Sequence, residues 1–478
     1  MKKTIILALA LALVGGAAYA NFCARDTVPA ASLLVPYIVV DADASGNPNP
    51  AGYTTLTVVT NVSSAKQLIH VTVWNAVSSA VVDFDEVLSG YDVWSINWRD
   101  VVTGDFENFD TSASNGGFWT GTVGDAPSPF GPTTNNLPTG FVNVNDPQDT
   151  DYNTPAMTNC GMPWGNLSQY KGIIVSKLQA PLTAWTTQDT DCKGTAEITG
   201  WGGWLSTVTN APLFFYATID TVKACNALFP SSIDYWNANN NTGYNTTNNV
   251  LTGYDYYLNF SSNYSESLPT VNLEAYASYT GTYPAGVGFY SKYTNQTGVN
   301  NKQDNREPLG TAYAFNYFNS LGVTTNVDVW KNYSEFDTTN KNVLACRPYV
   351  YYAWDENEQS KSRTTQACPS GLCFGNPEPN VFPFETQSVP VTSANFNALM
   401  AGNGWMLIVF DPSVPVNLTG YPEQYLQAYV FAKYNYGAYS TAVEATTMGN
   451  YWCAPTQVLP TLNTNAGLGM GTYGIIYQ

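Results

Sequence analysis

Histidine is almost missing from this chain, with His70 the only one among 478 residues. A centre built on several imidazole ligands is therefore excluded, and a Ser-His-Asp triad would have to use this one residue. No Gly-x-Ser-x-Gly occurs either, so the nucleophile elbow of an α/β-hydrolase has nothing to stand on. His70 lies inside an alternating run beside Thr72 and Trp74 and reads as a strand histidine packed against the tryptophan. Charge is scarce as well. Asp, Glu, Lys and Arg make up 11 % of the residues, against about a quarter in ordinary soluble domains. The balance is acidic, 36 to 18, for a net charge of -18. With no basic cluster anywhere, nucleic acid and anionic lipid surfaces are excluded as partners.

Long apolar runs are missing after the N-terminus. Lys2 and Lys3 precede an apolar stretch from Thr4 to Val14 and small residues ending in Ala18-Tyr19-Ala20. That pattern predicts a cleaved signal peptide over residues 1–20 and an extracellular, cell-surface or periplasmic mature protein. No later run nears the roughly 18 residues of a membrane-spanning helix, so no integral membrane segment is expected. Cys-x-x-Cys is missing too, which removes the zinc patterns built on it.

What is present in quantity is cysteine, in an even number: Cys23, Cys160, Cys192, Cys225, Cys346, Cys368, Cys373 and Cys453. In an exported chain this predicts four disulfides, with the pairing left open. Cys368 and Cys373 enclose the turn-forming Pro-Ser-Gly-Leu and make the best local pair. Cys23 and Cys453 are candidates to tie the two ends together.

The pattern beyond residue 20 is β almost throughout. Ser32 to Val40 is an apolar run whose internal Pro36 predicts an edge strand. Tyr53 to Thr60, Leu68 to Trp74 and Val93 to Arg99 alternate with period two, and strands are also expected at Lys171–Lys177, Ala211–Val222, Trp405–Phe410, Tyr425–Tyr434 and Ala438–Ala445. A short helix is expected at Ala394–Met400, and the Asn-rich tract from Ser231 to Thr247 reads as a surface loop. The fold class is all-β: antiparallel, immunoglobulin-like β-sandwiches with long inserted loops, stapled by disulfides. The expected divisions are an N-terminal β-sandwich over 21–125, a Pro/Asn-rich loop or linker over 126–163, a central β-rich region over 164–345, and a C-terminal β-rich region over 346–478. That last region carries the Cys368/Cys373 loop and is a candidate to complete the N-terminal sandwich. Val87-Leu-Ser-Gly-Tyr-Asp92 recurs as Val250-Leu-Thr-Gly-Tyr-Asp255 and is echoed at Leu418–Tyr421, either as the trace of a duplicated domain or as a shared hairpin corner.

Carboxylates are the remaining acid-base resource. Asp83, Asp85 and Glu86, or Asp355, Glu356 and Glu358, are candidate pairs for glycoside hydrolysis, weighed against solvated acidic faces. Asp41, Asp43 and Ser45 occupy alternate positions with Gly46 sixth, like the first half of a calcium loop, but the twelfth position is Gly52 in place of a bidentate Glu. They are candidate calcium ligands, and a plain hairpin turn explains them equally well. Nine Asn-x-Ser/Thr sequons, at Asn61, Asn166, Asn240, Asn245, Asn259, Asn263, Asn295, Asn332 and Asn417, read as marks of an exposed polar surface. Asp304, Arg306 and Glu307 form a polar cluster whose expected role is an arginine–carboxylate pair holding a loop.

The phrases SLLVPYIVVD, TTLTVVTNVS, HVTVWN, VVDFDEVLSGYDVWSINWRDV, FYATIDTVKACNALFPS, DNREPLGT and NVFPFETQSVPV resemble a family of exported bacterial β-rich proteins with no assigned activity. The resemblance covers most of the mature chain in order, and it implies export and a β-rich fold while transferring no site. Polar, Tyr/Asn/Thr-rich strands and a weakly charged surface point to a structural, assembly or adhesive protein, self-associating or bound to cell-envelope partners. Carbohydrate binding through the 33 Tyr and 13 Trp is the alternative, and a glycoside hydrolase a weaker one. The cysteine reading is checked by peptide mapping of the unreduced protein, which should show four bridged pairs. Free thiols at most of the eight positions would contradict it.

Overall fold

β1 (Ser32–Val40) is buried along its whole length, because its two faces meet two different layers. In the computed structural model the described residues are 28–103, 174–179, 212–223, 228–275, 288–294, 304–332, 349–364, 382–410 and 427–449, apart from a few positions within these ranges. All eight cysteines, Ser45, residues 1–20 and the 126–163 segment lie outside them. The fold is all-β, antiparallel with few helices. Among the described residues no helix is long and apolar enough to cross a membrane.

Nine strands build the first unit. β1 joins β3 (Gln67–Trp74), β4 (Ala80–Leu88), β6 (Leu213–Val222) and β9 (Val271–Leu273) in a five-stranded sheet of order β4-β3-β6-β1-β9. Facing it is a four-stranded sheet of order β5-β2-β7-β8, from β2 (Tyr53–Asn61), β5 (Val93–Asn97), β7 (Leu251–Asn259) and β8 (Tyr264–Pro269). Leu33, Val35, Ile69, Val71, Phe84, Phe215 and Ile219 of one sheet and Val59, Ile96 and Leu251 of the other share one core. That core is closed by Trp98 and Val101 of α1 (Trp98–Thr103) and by Ile174 and Leu178 of the helical segment 174–179. Alternation along each strand puts these residues on one face, and burial of each is worth roughly 1.5–3 kcal/mol.

The second unit repeats the first strand for strand. β10 (Ala312–Phe318), β12 (Val350–Asp355), β13 (Ser360–Thr364), β15 (Asn403–Val409) and β18 (Thr446–Gly449) form a sheet of order β13-β12-β15-β10-β18. β11 (Val323–Lys331), β14 (Thr386–Pro390), β16 (Ala428–Tyr436) and β17 (Tyr439–Glu444) form one of order β14-β11-β16-β17. Each order is that of the first unit moved nine strands along the chain. The repeat reaches individual hydrogen bonds: Thr55 Oγ1 accepts from Val39 N (3.0 Å) and donates to Val39 O (3.2 Å). Thr325, at the same place in β11, accepts from Phe318 N (2.8 Å) and donates to Phe318 O (3.0 Å). Both threonines fasten the second strand to the end of the first.

The two units stack so that the outer face of the first five-stranded sheet meets the outer face of the second four-stranded sheet. Leu34, Trp74 and Tyr216 from the one and Trp330, Tyr429 and Phe431 from the other lie in one aromatic layer. Helix α2 (Ile233–Asn241), with Tyr235 and Trp236, and the segment Phe289–Tyr293 leading into α3 (Ser291–Thr294) fill its margin. Glu385 N donates to Ala76 O (2.7 Å), and Ser440 Oγ to Ser265 O (3.1 Å), across the same boundary.

Several expectations are corrected here. Pro36 does not mark an edge: β1 lies between β6 and β9, and Pro36 sits where the register shifts between Val35 and Ile38. A bulge absorbs the missing N–H, and the freed Pro36 carbonyl accepts from Thr386 Oγ1 (2.5 Å) of the second unit. Strand β5 stops at Asn97, whose side chain accepts from Arg99 N (3.2 Å) and starts α1. The region around Lys171–Lys177 is helical at 174–179 rather than a strand. The first part of the Asn-rich tract is helix α2, entered through Ser232 Oγ, which accepts from Asp234 N (3.2 Å), and holding Tyr235 and Trp236 fully buried, while Gly243–Thr247 is not helical. The units also divide between 275 and 312 rather than at 125 and 346, because β6 to β9 complete the first and β10 and β11 open the second. Region 346–478 therefore completes the second unit and not the N-terminal one. The recurring hexapeptides are not equivalent: Asp92 closes the turn after β4 through Ser89 N (3.0 Å), whereas Asp255 is buried in mid-β7. The sequons at Asn61, Asn259 and Asn332 are buried. Asn61 Oδ1 accepts from Ser63 Oγ (2.8 Å) and Asn259 Oδ1 from Ser261 Oγ (2.7 Å), so these two Asn-x-Ser triplets are strand-end turns.

Equivalence of the two threonine brackets predicts equal penalties. Thr55→Val and Thr325→Val should each lower stability by about 1–3 kcal/mol in denaturant unfolding, since each leaves a backbone N–H and C=O unpaired. A loss at only one position would contradict the equivalence.

Candidate functional site in the layer between the two units

A row of polar residues crosses the outer face of the first five-stranded sheet at a single register level. Ser32 pairs with Asp220, Asp220 with His70, and His70 with Asp85, across β1, β6, β3 and β4. All four are fully buried. The same register level in the second unit reads Ala312, Val409, Val350 and Thr364. The polar row belongs to the first unit alone, and a repeat of the fold does not require it.

His70 Nδ1 is 2.7 Å from Asp85 Oδ1, and Nε2 is 3.6 Å from Asp83 Oδ2. The ring lies against Tyr235 of α2, centroids 5.8 Å apart, and not against Trp74 as the sequence led us to expect. Burial disfavours the imidazolium, but the carboxylates of Asp85, Asp83 and Asp220 outweigh it and raise the His70 pKa above its ordinary value. At the other end of the row Ser32 Oγ donates to Asp220 Oδ1 and accepts from Arg306 Nε (2.7 Å), while Tyr290 OH donates to Asp220 Oδ2 (2.7 Å). Arg306 Nε is itself 3.7 Å from Asp220.

The expected polar cluster around residue 304 therefore lands on this row. Arg306 is fully buried, and Asp304 turns back to accept from Arg306 N (3.0 Å) and Tyr290 N. Burial pushes the Asp304 carboxyl up to about 7, against the pull of Arg306 and the two backbone N–H groups. Glu307 Oε1 accepts from Glu274 N (3.1 Å), which ties the end of the first unit to the approach to the second.

A second charged group sits deeper in the same layer. Lys433 of β16 has its Nζ 2.5 Å from Asp328 Oδ2 on β11 and 3.4 Å from Glu266 Oε1 on β8 of the first unit. The faces of Tyr37 and Tyr257 lie 4.6 and 4.5 Å from Nζ, and Phe431 5.4 Å. Burial raises both carboxyls, with Lys433 opposing it. Between the two groups Trp74, Tyr216, Thr218, Tyr290, Trp330 and Asn332 line a cavity of about 10 Å3. Its lining is mainly aromatic and apolar.

Other candidates have structural partners. Asp83, Asp85 and Glu86 are buried on β4, so they form no solvated acidic face. Asp355 Oδ1 accepts from Asn357 N (2.9 Å) and Gln359 N (2.8 Å) and shapes the β12–β13 turn. Asp41 accepts from Tyr53 N (2.8 Å) and Asp43 from Asn47 N (2.9 Å) and Nδ2 (2.8 Å), all within the β1–β2 connection. Gly52 is required there because a Cβ would strike the Asp41 carboxylate. Among the described residues no group of three His, Cys, Asp or Glu side chains is arranged to hold a metal ion. Sequence reasoning passed over Lys433, Asp328, Glu266 and Asp255. In β11, Asp328 between the core valines Val327 and Val329 was the legible sign, a charge on the second face of a strand buried over its latter half.

Asp255 lies inside the first core, where Thr57 Oγ1 donates to it (2.6 Å) and accepts from Trp98 Nε1 (2.8 Å). Burial raises its pKa to about 8, the Thr57 bond opposing. Compared with family models, curated proteins and solved structures, the chain matches none.

Two outcomes follow. The folded state holds a proton on Asp255 that the unfolded chain releases near pH 4, so this residue's contribution to stability falls as pH rises from about 4 to about 8. Asp255→Asn removes that slope, and its melting temperature should exceed the wild type's at pH 9 by more than at pH 5. An unchanged difference would contradict a protonated Asp255. His70→Leu removes the 2.7 Å partner of the buried Asp85 carboxyl and should lower stability by about 1–3 kcal/mol in denaturant unfolding.

Proposed function

We propose that the chain is an exported, cell-surface or extracellular structural protein that assembles through the outward sheet faces and edge strands of its double unit. What supports this reading is where the exposed apolar side chains lie. On the outer face of the first four-stranded sheet Tyr254 and Tyr256 are 48 % and 39 % exposed, on strand β7. On edge strand β5 Val93 is 61 % exposed, and on β17, which packs along β8 inside the molecule, Tyr439 and Val443 are 78 % and 51 % exposed. Exposed apolar residues gathered on strand faces and edges favour association, which charges or short strands at an edge normally prevent. The stack itself supplies the pattern: one five-stranded face already seats one four-stranded face inside the molecule. The counterpart faces point outward at its two ends and fit a head-to-tail contact between copies.

Pairing of β1 with β6 in one sheet and of β2 with β7 in the other follows the B–E and C–F pairing of immunoglobulin domains, which favours an immunoglobulin-like origin for each unit. The disulfides belong to the same proposal, as staples of the connections between strands. A carbohydrate-binding reading draws on the outer face of the second five-stranded sheet. There Trp354 stacks on Trp405, centroids 4.0 Å apart, with Tyr352 at 6.2 Å from Trp354.

Sedimentation velocity of the mature protein over a range of concentrations tests the leading reading. Species larger than a monomer should form and be lost in Tyr256→Lys/Val93→Lys with the melting temperature kept within about 1 °C. A monomer at every concentration, together with binding on a glycan array that Trp354→Ala abolishes, would replace assembly by carbohydrate binding.

A further inference from the structure

Lys433, Asp328 and Glu266 are three ionisable groups in a dry, aromatic site, one amine between two carboxyls, and nothing in the fold repeat accounts for them. Lys433 and Asp328 stand on neighbouring strands of the same sheet. In the register Asp328 faces Phe431, and Lys433 faces Asn326, so the two side chains meet on a diagonal across one face. Their contact of 2.5 Å is shorter than the roughly 2.7–2.9 Å of an ordinary charge-assisted pair. Nζ lies over the rings of both Tyr37 and Tyr257, and Glu266 approaches from the first unit.

We propose that Lys433 and Asp328 become joined by an intramolecular isopeptide bond, formed without any cofactor once the two units have docked, with Glu266 carrying the proton. The ammonium of Lys433 and the carboxylate of Asp328 first exchange a proton to give a neutral amine and a carboxylic acid. The amine lone pair attacks Cγ of Asp328 as Glu266 takes a proton from Nζ. Glu266 returns that proton to the departing hydroxyl, one C–O bond breaks, one C–N bond forms, and one water leaves. No electron is gained or lost, and Glu266 ends as it began.

Two physical arguments favour the condensation here. Burial raises the carboxyls of Asp328 and Glu266, which favours the neutral acid, while the same carboxylates raise Lys433, so the neutral amine forms only as its proton passes to Asp328. Amide formation also replaces a buried ion pair by a neutral group that needs far less solvation. Fixed contact gives an effective concentration of about 10⁵–10⁸ M, and exclusion of water removes the competing hydrolysis. Glu266 comes from β8 of the first unit while the reacting pair comes from the second, so closure of the layer between them completes the reacting group.

Mass spectrometry of the purified mature protein, fully reduced, decides the matter. The expected mass is that of the chain less one water, with a proteolytic peptide in which the segments holding Lys433 and Asp328 are branched together. Lys433→Arg keeps the cation but cannot form this bond and should have its full sequence mass with no water lost, as should Asp328→Ala. Asp328→Asn should lose one ammonia in place of water. Glu266→Gln, folded by circular dichroism, should remain largely unbridged. A wild-type mass equal to the sequence, with linear peptides at both residues, would overturn the bond even if every variant failed to fold. Full bridging in Glu266→Gln would overturn the role of Glu266.

Discussion

Charge sealed between two aromatic sheet faces is the constraint on which the rest of this molecule depends. An ammonium, a guanidinium and several carboxylates have been taken out of water, which is costly unless each meets a partner. The partners come from both units: Glu266 of β8 reaches Lys433 of β16, and Arg306, on the approach to the second unit, reaches Ser32 and Asp220 of the first. Separating the units would expose Trp74, Tyr216, Trp330 and Phe431 together with these charges. The layer thus sets the orientation of the two units as well as holding them together, because ion pairs and aromatic stacking tolerate far less misplacement than aliphatic contact.

The same layer explains why one member of the repeat departs from the other. Strand order and the Thr55 and Thr325 brackets are shared, so the common fold needs only the apolar inner faces. The row Ser32–Asp220–His70–Asp85 sits on the face that docks, and at its counterpart level in the second unit the chain carries Ala312 and Val409. Buried charge marks the covered face, while aromatic residues lie on that face and on the outer ones. Trp354 and Trp405 stack on the outward five-stranded sheet, and Tyr254 and Tyr256 project from the outward four-stranded one. An assembling or adhesive protein has use for both outward faces.

Four of the first five strands, β1, β2, β3 and β5, were readable in the sequence to within two residues at each end, because period-two alternation and Gly/Asn/Ser turns are local signals. Their partners were not. β6 follows β5 after more than a hundred residues, and nothing local says that Asp220 will stand beside His70. Residues on faces covered by distant layers were the ones misread. Asp83 to Glu86 looked solvated because an acidic run usually is, and Pro36 looked like an edge because its bulge depends on β6. The Asn-rich tract looked like a loop because two aromatic residues, Tyr235 and Trp236, were enough to bury its first part as helix α2. The polar cluster of Asp304, Arg306 and Glu307 was visible, but its meaning lay in strands assembled from elsewhere.

If the buried layer governs the fold, the two units unfold together. Differential scanning calorimetry of the mature chain should then show one transition, with calorimetric and van't Hoff enthalpies in agreement. Two separate transitions, each with the enthalpy of a single nine-strand unit, would contradict the account.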